Sequence, residues 1–402
     1  MFSASVSNSR EPPMNTIDLI KLSAGCWNPH NERLDHCLRD KNEPEKQYLF
    51  IQDDLFSDSG SRKVLPELIQ YFQIPQYLLA DIYRRSNGFF DFKESRGQNG
   101  QRESCYMWFR VLIKIIDSRS SISYHWQEMT FCCRWNSKSC SVLCLGVDAS
   151  FQSCLQEKLH QMWPDIQGPQ LGCLLVPLME VLVVMFDQSV WLIRDLVRSA
   201  ERGRAISARG LTHFTLLHEV TRHAIHSLET LNVAVDTLSS IQHHIATQSK
   251  RSPSMSWDAQ DLAESINKQL DFQVRMLRNL HLRAQSNKER LQNEISYVFN
   301  IITNRDSQIM TRIGEAAKED SGVMRTIAVV TMFFLPPTFI SAVFSMSFFN
   351  YTPPQEGAAG KWSVSERFWI YWAFAIPLTA LTLGIWVLRQ RWTHWRYWID
   401  SL

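Results

Sequence analysis

Toward its C-terminal end the chain twice runs for more than twenty residues with scarcely a polar position. Between Arg325 and Glu356 no charged residue occurs, and Thr326 to Phe349 (TIAVVTMFFLPPTFISAVFSMSFF) is long enough as a helix, ~36 Å, to cross ~30 Å of hydrocarbon. A second run, Phe368 to Leu388, carries Trp369, Tyr371 and Trp372 at one end and Trp386 at the other, with Arg389, Arg391 and Arg396 beyond. Aromatic belts and a basic stop predict a second span. Lys318 and Arg325 precede the first run, and only Lys361 and Arg367 lie between the two. The positive-inside bias then places both termini in the cytoplasm and the loop 350–367 outside.

Upstream of the first run the period is helical. Ser256 is a plausible N-cap, and Asp258 and Asp261 suit the positive end of a helix dipole. No proline follows Pro253 until Pro336. Apolar residues recur from Leu262 and Ile266 to Ile309 and Ile313, and Leu291, Ile295, Val298, Ile302 and Ile309 keep the seven-residue repeat of a helix that packs on copies of itself or on partner helices. A continuous helix from Trp257 to Phe349 is ~140 Å long. Thr331, Thr338 and Ser345 continue the spacing, with Ser341 beside them. Such a hydroxyl stripe either packs closely against another helix or, with several copies around an axis, lines a water-filled path. Two spans cannot enclose a pore alone, so conduction requires a homo-oligomer.

The pattern before Asp148 is different. Tyr106–Ile116, Ile122–Phe131 and Ser141–Val147 read as strands, whereas Leu178–Ala200 and Thr212–Ala246 read as helices. The predicted organisation is a poorly ordered lead (1–45), a cytosolic α/β domain with a hairpin-rich sheet (46–173), paired cytosolic helices (174–250), a stalk helix (256–325), a transmembrane helix (326–349), an outer loop (350–367), a second transmembrane helix (368–388) and a basic, aromatic cytosolic tail (389–402). The fold class is an α+β membrane protein.

Charge narrows the choice of partners. Among 402 residues, 42 Lys+Arg against 40 Asp+Glu leave a net +2, which offers no field for nucleic acid. Nine cysteines are too few for a disulfide scaffold, and MFSASVSNSREPP contains no apolar signal core. Glu11 and Asp18 speak against a mitochondrial transit segment.

Chemical motifs are sparse. His218-Glu219-Val220-Thr221-Arg222-His223 looks like a zinc-protease helix, but its histidines are five apart and ~140° apart around a helix. His223 and His226 share a face but lack a convergent third ligand, so a structural, solvated pair is expected. Cys132, Cys133, Cys140 and Cys144 contain no C-x-x-C pair and read as buried thiols. No phosphate-binding, dinucleotide or nucleophile-elbow motif occurs, and the chain is not expected to be an enzyme.

A cytosolic α/β domain, a long stalk helix running into the first of two C-terminal spans, a short outer loop and a basic tail resemble the CorA family of magnesium channels, in particular its divergent members in filamentous fungi. The segment Leu335–Phe349 is similar to the family's end of the first span, and Glu180–Glu201 with His218–Leu238 are similar to the fungal group's helical region. The family's Gly-Met-Asn signature falls on Ser345, Met346 and Ser347, flanked by Phe344 and Phe348. The resemblance implies an ion-selective outer mouth at these three residues and a pore face comprising Met324, Ile327, Leu335 and Thr338, to which the hydroxyl stripe adds Thr331 and Ser341. Met324 and Ile327 form its apolar constriction. It further implies a homo-oligomer, a pentamer, in a lipid bilayer of the plasma membrane. Mg2+ is implied as the transported ion and as a regulatory ligand between cytosolic domains. Asp261, Glu264, Asp271, Asp306, Glu315 and Glu319 are the acidic stalk residues available to such a site. The alternative is a non-conducting, membrane-anchored scaffold or sensor.

Overall fold

A computed structural model describes residues 16–39, 46–51, 65–96, 102–117, 123–136, 139–202, 211–250, 257–343, 349–353 and 360–400. The chain divides into two units, Met1–Phe299 and Asn300–Leu402. In chain order the elements of the first are β1 (Thr16–Ser23), β2 (Cys26–Arg33), α1 (Leu34–Arg39), β3 (Lys46–Ile51), α2 (Leu65–Tyr71), α3 (Asp81–Arg84), β4 (Gly88–Arg96), β5 (Arg102–Ile116), β6 (Tyr124–Asn136), β7 (Cys140–Leu145), α4 (Ala149–Met162), α5 (Gly172–Arg202) and α6 (Leu211–Lys250). Helix α7 (Trp257–Val343) begins in this unit and ends in the second, which adds β8 (Phe349–Thr352), β9 (Lys361–Val364) and α8 (Phe368–Asp400).

Seven strands form one sheet in the order β2-β1-β3-β7-β6-β5-β4. Only β3 and β7 run parallel; every other neighbouring pair is antiparallel. Residues 16–39, read from the sequence as part of a poorly ordered lead, instead supply β1, β2 and α1. Ile17 and Leu19 face one side of the sheet and Ile20 the other, and all three are buried. Strand alternation sorts the core in the same way throughout. Met107, Phe109, Val111 and Ile113 of β5 join the face that carries α4–α7, while Trp108 joins Leu68 and Phe72 on the opposite face. There Trp108 Nε1 donates to Phe72 O at 3.1 Å. At the end of β7, Gly146 has φ +70°, and a Cβ there would lie 2.0 Å from Glu128 O. Asp148 then caps α4, its Oδ1 accepting from Phe151 N at 2.9 Å.

Among the described residues three helices are long and apolar enough to cross a membrane: α5, α7 within Ala259–Val343, and α8 within Phe368–Arg389. The surroundings separate them. Of the apolar stretch of α5, 72% is buried within the protein, against 11% for α7 and 6% for α8. Leu174, Leu178, Val181, Leu182 and Val190 of α5 are fully covered in the sheet's larger core. Each such side chain contributes about 2 kcal/mol by leaving water. Withdrawing α5 into lipid would bare the sheet face, so its hydrophobicity is accounted for by the core.

The first part of α7 lies on α5 and α6 through two seven-residue series, 266–273–280–287–294 and 270–277–284–291. The first series includes Gln273, Asn287 and Glu294, all buried. Gln273 Nε2 donates to Val176 O at 3.0 Å, and Asn287 Nδ2 to Val190 O at 3.4 Å. The two amide nitrogens bond to the backbone of α5, as buried polar groups require, whereas Gln273 Oε1 has no hydrogen-bond partner among the described residues. The repeat from Leu291, expected to serve association between copies or partner helices, is covered within the first unit at Leu291 and partly at Ile295 and Val298. Ile302 and Ile309 are 39% and 44% exposed.

Candidate functional site

In the second unit, the residues implied as pore-lining lie along one stripe of α7. At 100° per residue Met324, Ile327, Thr331, Leu335 and Thr338 fall within ~80° of the helix circumference, and Ser341 lies ~40° further round. Met324, Ile327 and Leu335 are 68%, 56% and 62% exposed, and Thr331 and Thr338 are exposed as well. Ser341 is half-buried. The covered positions Pro336 and Ile340 lie elsewhere, ~140° and ~180° round from Thr331. Next to them Tyr371 Oη of α8 donates to Pro337 O at 3.2 Å. Within one copy the stripe is therefore a free surface. Ser345, Met346 and Ser347 fall outside the described residues.

The hydroxyls of this stripe are oriented by the helix itself. Thr331 Oγ1 donates to Ile327 O at 2.8 Å and Thr338 Oγ1 to Phe334 O at 2.7 Å. Each hydroxyl hydrogen is used within α7, leaving oxygen lone pairs and a methyl group at the surface. The threonines consequently present acceptors rather than donors. A hydrated cation turns the hydrogens of its water shell outward, and acceptors are what such a shell needs.

The acidic stalk residues do not converge in one copy. Glu264 pairs with Lys268 at 2.8 Å and Asp271 with Arg275 at 2.9 Å, both one turn away on the same helix. Asp306, Glu315 and Glu319 are exposed. Among the described residues no three His, Cys, Asp or Glu side chains are grouped to hold a metal. The carboxylates thus do not fit a regulatory cation site within a single chain.

The helix α6 histidines depart from expectation. His223 is fully buried rather than solvated, its ring 5.3 Å from that of Tyr124, and His226 is half-buried. The cause is the packing of this α6 face on β5 and β6. Lys114 of β5 is also fully buried. Its Nζ lies 3.9 Å from the Tyr124 ring centre, 5.1 Å from that of Trp126 and 2.9 Å from His226 Nδ1. Burial, with the nearby Arg222 charge, brings the Lys114 amine down to about 8, Glu219 opposing the fall. Burial and the Lys114 charge likewise lower His226. A protonated amine has only hydrogens to give, so Lys114 donates and neutral His226 accepts at Nδ1. Aromatic faces and one imidazole lone pair stabilise the ammonium in place of water. Sequence spacing does not reveal this cluster, since Lys114 and His226 are 112 positions apart.

Cys132, Cys133, Cys140 and Cys144 are buried free thiols in the sheet, and burial raises all four. They are poor thiolates for metal or redox chemistry. A cleft of about 980 Å³ is bordered by Phe92 and Arg96 of β4, Asp236, His244 and Gln248 of α6 and Arg278 of α7. Its charges are of both signs, without a concentration of either.

No family model matches the chain. It is 29% identical over 293 residues to notoamide biosynthesis cluster protein M' of Aspergillus versicolor, a match spanning 67% of this chain and 60% of the relative. The match thus extends over about three-fifths of the curated relative's length. Among solved structures, the full-length CmaX protein is similar with a TM-score of 0.47 and 14% identity, over 95% of this chain and 99% of that one. The CorA magnesium transporter of Methanocaldococcus jannaschii is similar with a TM-score of 0.44 and 12% identity, over 93% of this chain and 98% of that one.

Proposed function

We propose that the chain is a CorA-like membrane channel that conducts Mg2+ or another divalent cation as a homo-oligomer, a pentamer, gated by its cytosolic α/β domain. The observation that carries this reading is the contrast between a buried α5 and the bare apolar surfaces of α7 and α8. Phe333, Phe334, Phe339, Phe374, Ile376 and Leu388 are each more than half exposed. Apolar surface of this extent requires a cover, and lipid supplies it along helices of spanning length. In this reading both termini are cytoplasmic and the membrane is the plasma membrane.

With the α7 stripes of several copies around one axis, Thr331 and Thr338 form rings of oxygen acceptors. Mg2+ dehydrates reluctantly, so it passes with much of its water shell donating to those oxygens. Met324 and Ile327 form an apolar ring that closes by dewetting when the copies draw together. The first unit holds the start of α7 through Gln273 and Asn287, which supplies the lever for gating. Nothing in this reading asks the chain to make or break covalent bonds.

One observation favours a second reading, a non-conducting membrane-anchored scaffold or sensor: Ser345 and Ser347 stand where the resembling family has Gly and Asn. The double variant Ser345→Gly with Ser347→Asn separates the two. Raised divalent flux in proteoliposomes supports a pore with a poorly selective mouth. Unchanged, leak-level flux in folded oligomers supports a closed scaffold.

A further inference from the structure

The loop between the two apolar helices forms a small amphipathic hairpin. Strands β8 and β9 pair antiparallel, with Phe349 opposite Val364 and Tyr351 opposite Trp362. Paired residues, and residues two apart, share a face. Phe349, Tyr351, Trp362 and Val364 therefore make one apolar, aromatic face, and Asn350, Thr352, Lys361 and Ser363 make the other. The Tyr351 and Trp362 rings are 4.9 Å apart. The four apolar side chains are nevertheless 50%, 49%, 67% and 53% exposed in the order named. Two four-residue strands are too short to be stable in water alone, so this face has an unmet partner.

We propose that the aromatic face of the β8–β9 hairpin lies on the phospholipid headgroup region of the bilayer, an interfacial anchor at the mouth of the channel. This rests on the membrane reading given above. Three observations select lipid over a second copy of the chain. The two large residues are Tyr and Trp, whose apolar bodies and polar tips suit the boundary between headgroups and acyl chains. The face is continuous with the aromatic start of α8: the Phe349 ring is 5.4 Å from that of Phe368, which neighbours Tyr371 and Trp372. Trp369 and Trp372 there are 66% and 49% exposed. Arg367, three residues beyond Val364, supplies a cation for lipid phosphates beside the face.

The experiment places a fluorescent amino acid, dansylalanine, at single positions of the full chain reconstituted in phosphatidylcholine–phosphatidylglycerol vesicles. Quenching is read with lipids brominated near the headgroup, with lipids brominated deep in the chain, and with aqueous iodide. Trp362→dansylalanine is expected to lose emission to shallow bromolipid more than to deep, and to be shielded from iodide. Ser363→dansylalanine, on the opposite face, is expected to respond chiefly to iodide. Tyr351→dansylalanine repeats the test should the first variant misfold. Equal iodide quenching at 362 and 363 would overturn the proposal in favour of a solvated loop. Shielding at 362 from both iodide and bromolipid would overturn it in favour of a contact between copies. Leu381→dansylalanine in α8 separates the two levels of inference. Deep quenching there with no lipid contact at 362 removes the anchor alone, whereas no lipid quenching at 381 removes the membrane reading itself.

Discussion

Arg290 of α7 donates from Nε to Glu201 Oε1 at 2.8 Å and from Nη2 to Oε2 at 2.5 Å, a two-pronged tie to the last turn of α5. It lies one turn before Glu294, the last buried member of the polar heptad series. Both side chains are about one-third exposed, so solvent screens the pair. Arg290→Leu is expected to cost about 1 kcal/mol, read as lower melting of the detergent-solubilised protein. Faster amide exchange confined to the end of α5 would accompany it.

Gly146 admits no side chain. Its φ is +70°, and a Cβ at this position would stand 2.0 Å from Glu128 O, so a methyl group has nowhere to go. Its carbonyl also accepts from Gln127 Nε2 at 2.7 Å. Gly146→Ala is expected to destabilise the protein by about 3 kcal/mol, measured by chemical denaturation, whereas Gly25→Ala, where nothing lies within 4 Å, should cost less despite its positive φ.

The Lys114 cluster sets a pH dependence with a definite sign. Its amine sits near 8 in the folded chain against an ordinary value of 10.5. Between those values the unfolded chain holds a proton that the folded chain has released, so stability rises with pH across this window. His226, lowered from 6.5, adds a rise in the same direction as pH approaches 6.5 from below. Wild type should therefore gain more melting temperature between pH 7.5 and 9.5 than Lys114→Met does. An equal gain in both would contradict the assignment.

The apolar constriction proposed at Met324 and Ile327 is tested by polarity. Met324→Asn is expected to raise resting divalent flux by about tenfold, because a polar ring stays wet when the pore narrows. The measurement is the unstimulated influx rate in proteoliposomes at matched protein density.

Much of the architecture is legible where one physical pattern dominates. β5, β6 and β7 show as runs rich in aromatic, β-branched and other apolar residues, and α7 can be followed by its period and by the lack of proline before Pro336. β2 escapes because it is an edge strand: Cys-Trp-Asn-Pro-His-Asn-Glu-Arg buries only Trp27 and accommodates Pro29. The seam of α7 is only half visible, since Gln273, Asn287 and Glu294 occupy core positions as polar residues. The partners of Gln273 and Asn287 are groups of α5, which carry no signal in local spacing. The stripe from Met324 to Ser341 can be laid out by helical geometry, but the orientation of its hydroxyls depends on bonds to carbonyls one turn back.

The proposed conduction is measured most directly as Mg2+ influx into liposomes holding the purified protein, followed with an internal magnesium-sensitive dye under an imposed potential. Thr338→Trp, which fills the stripe with an indole, serves as the blocked pore. Influx is expected in wild type and is expected to disappear in this variant. Equal, leak-level traces from folded, oligomeric wild type and variant would contradict conduction and leave the membrane-anchored scaffold as the better reading.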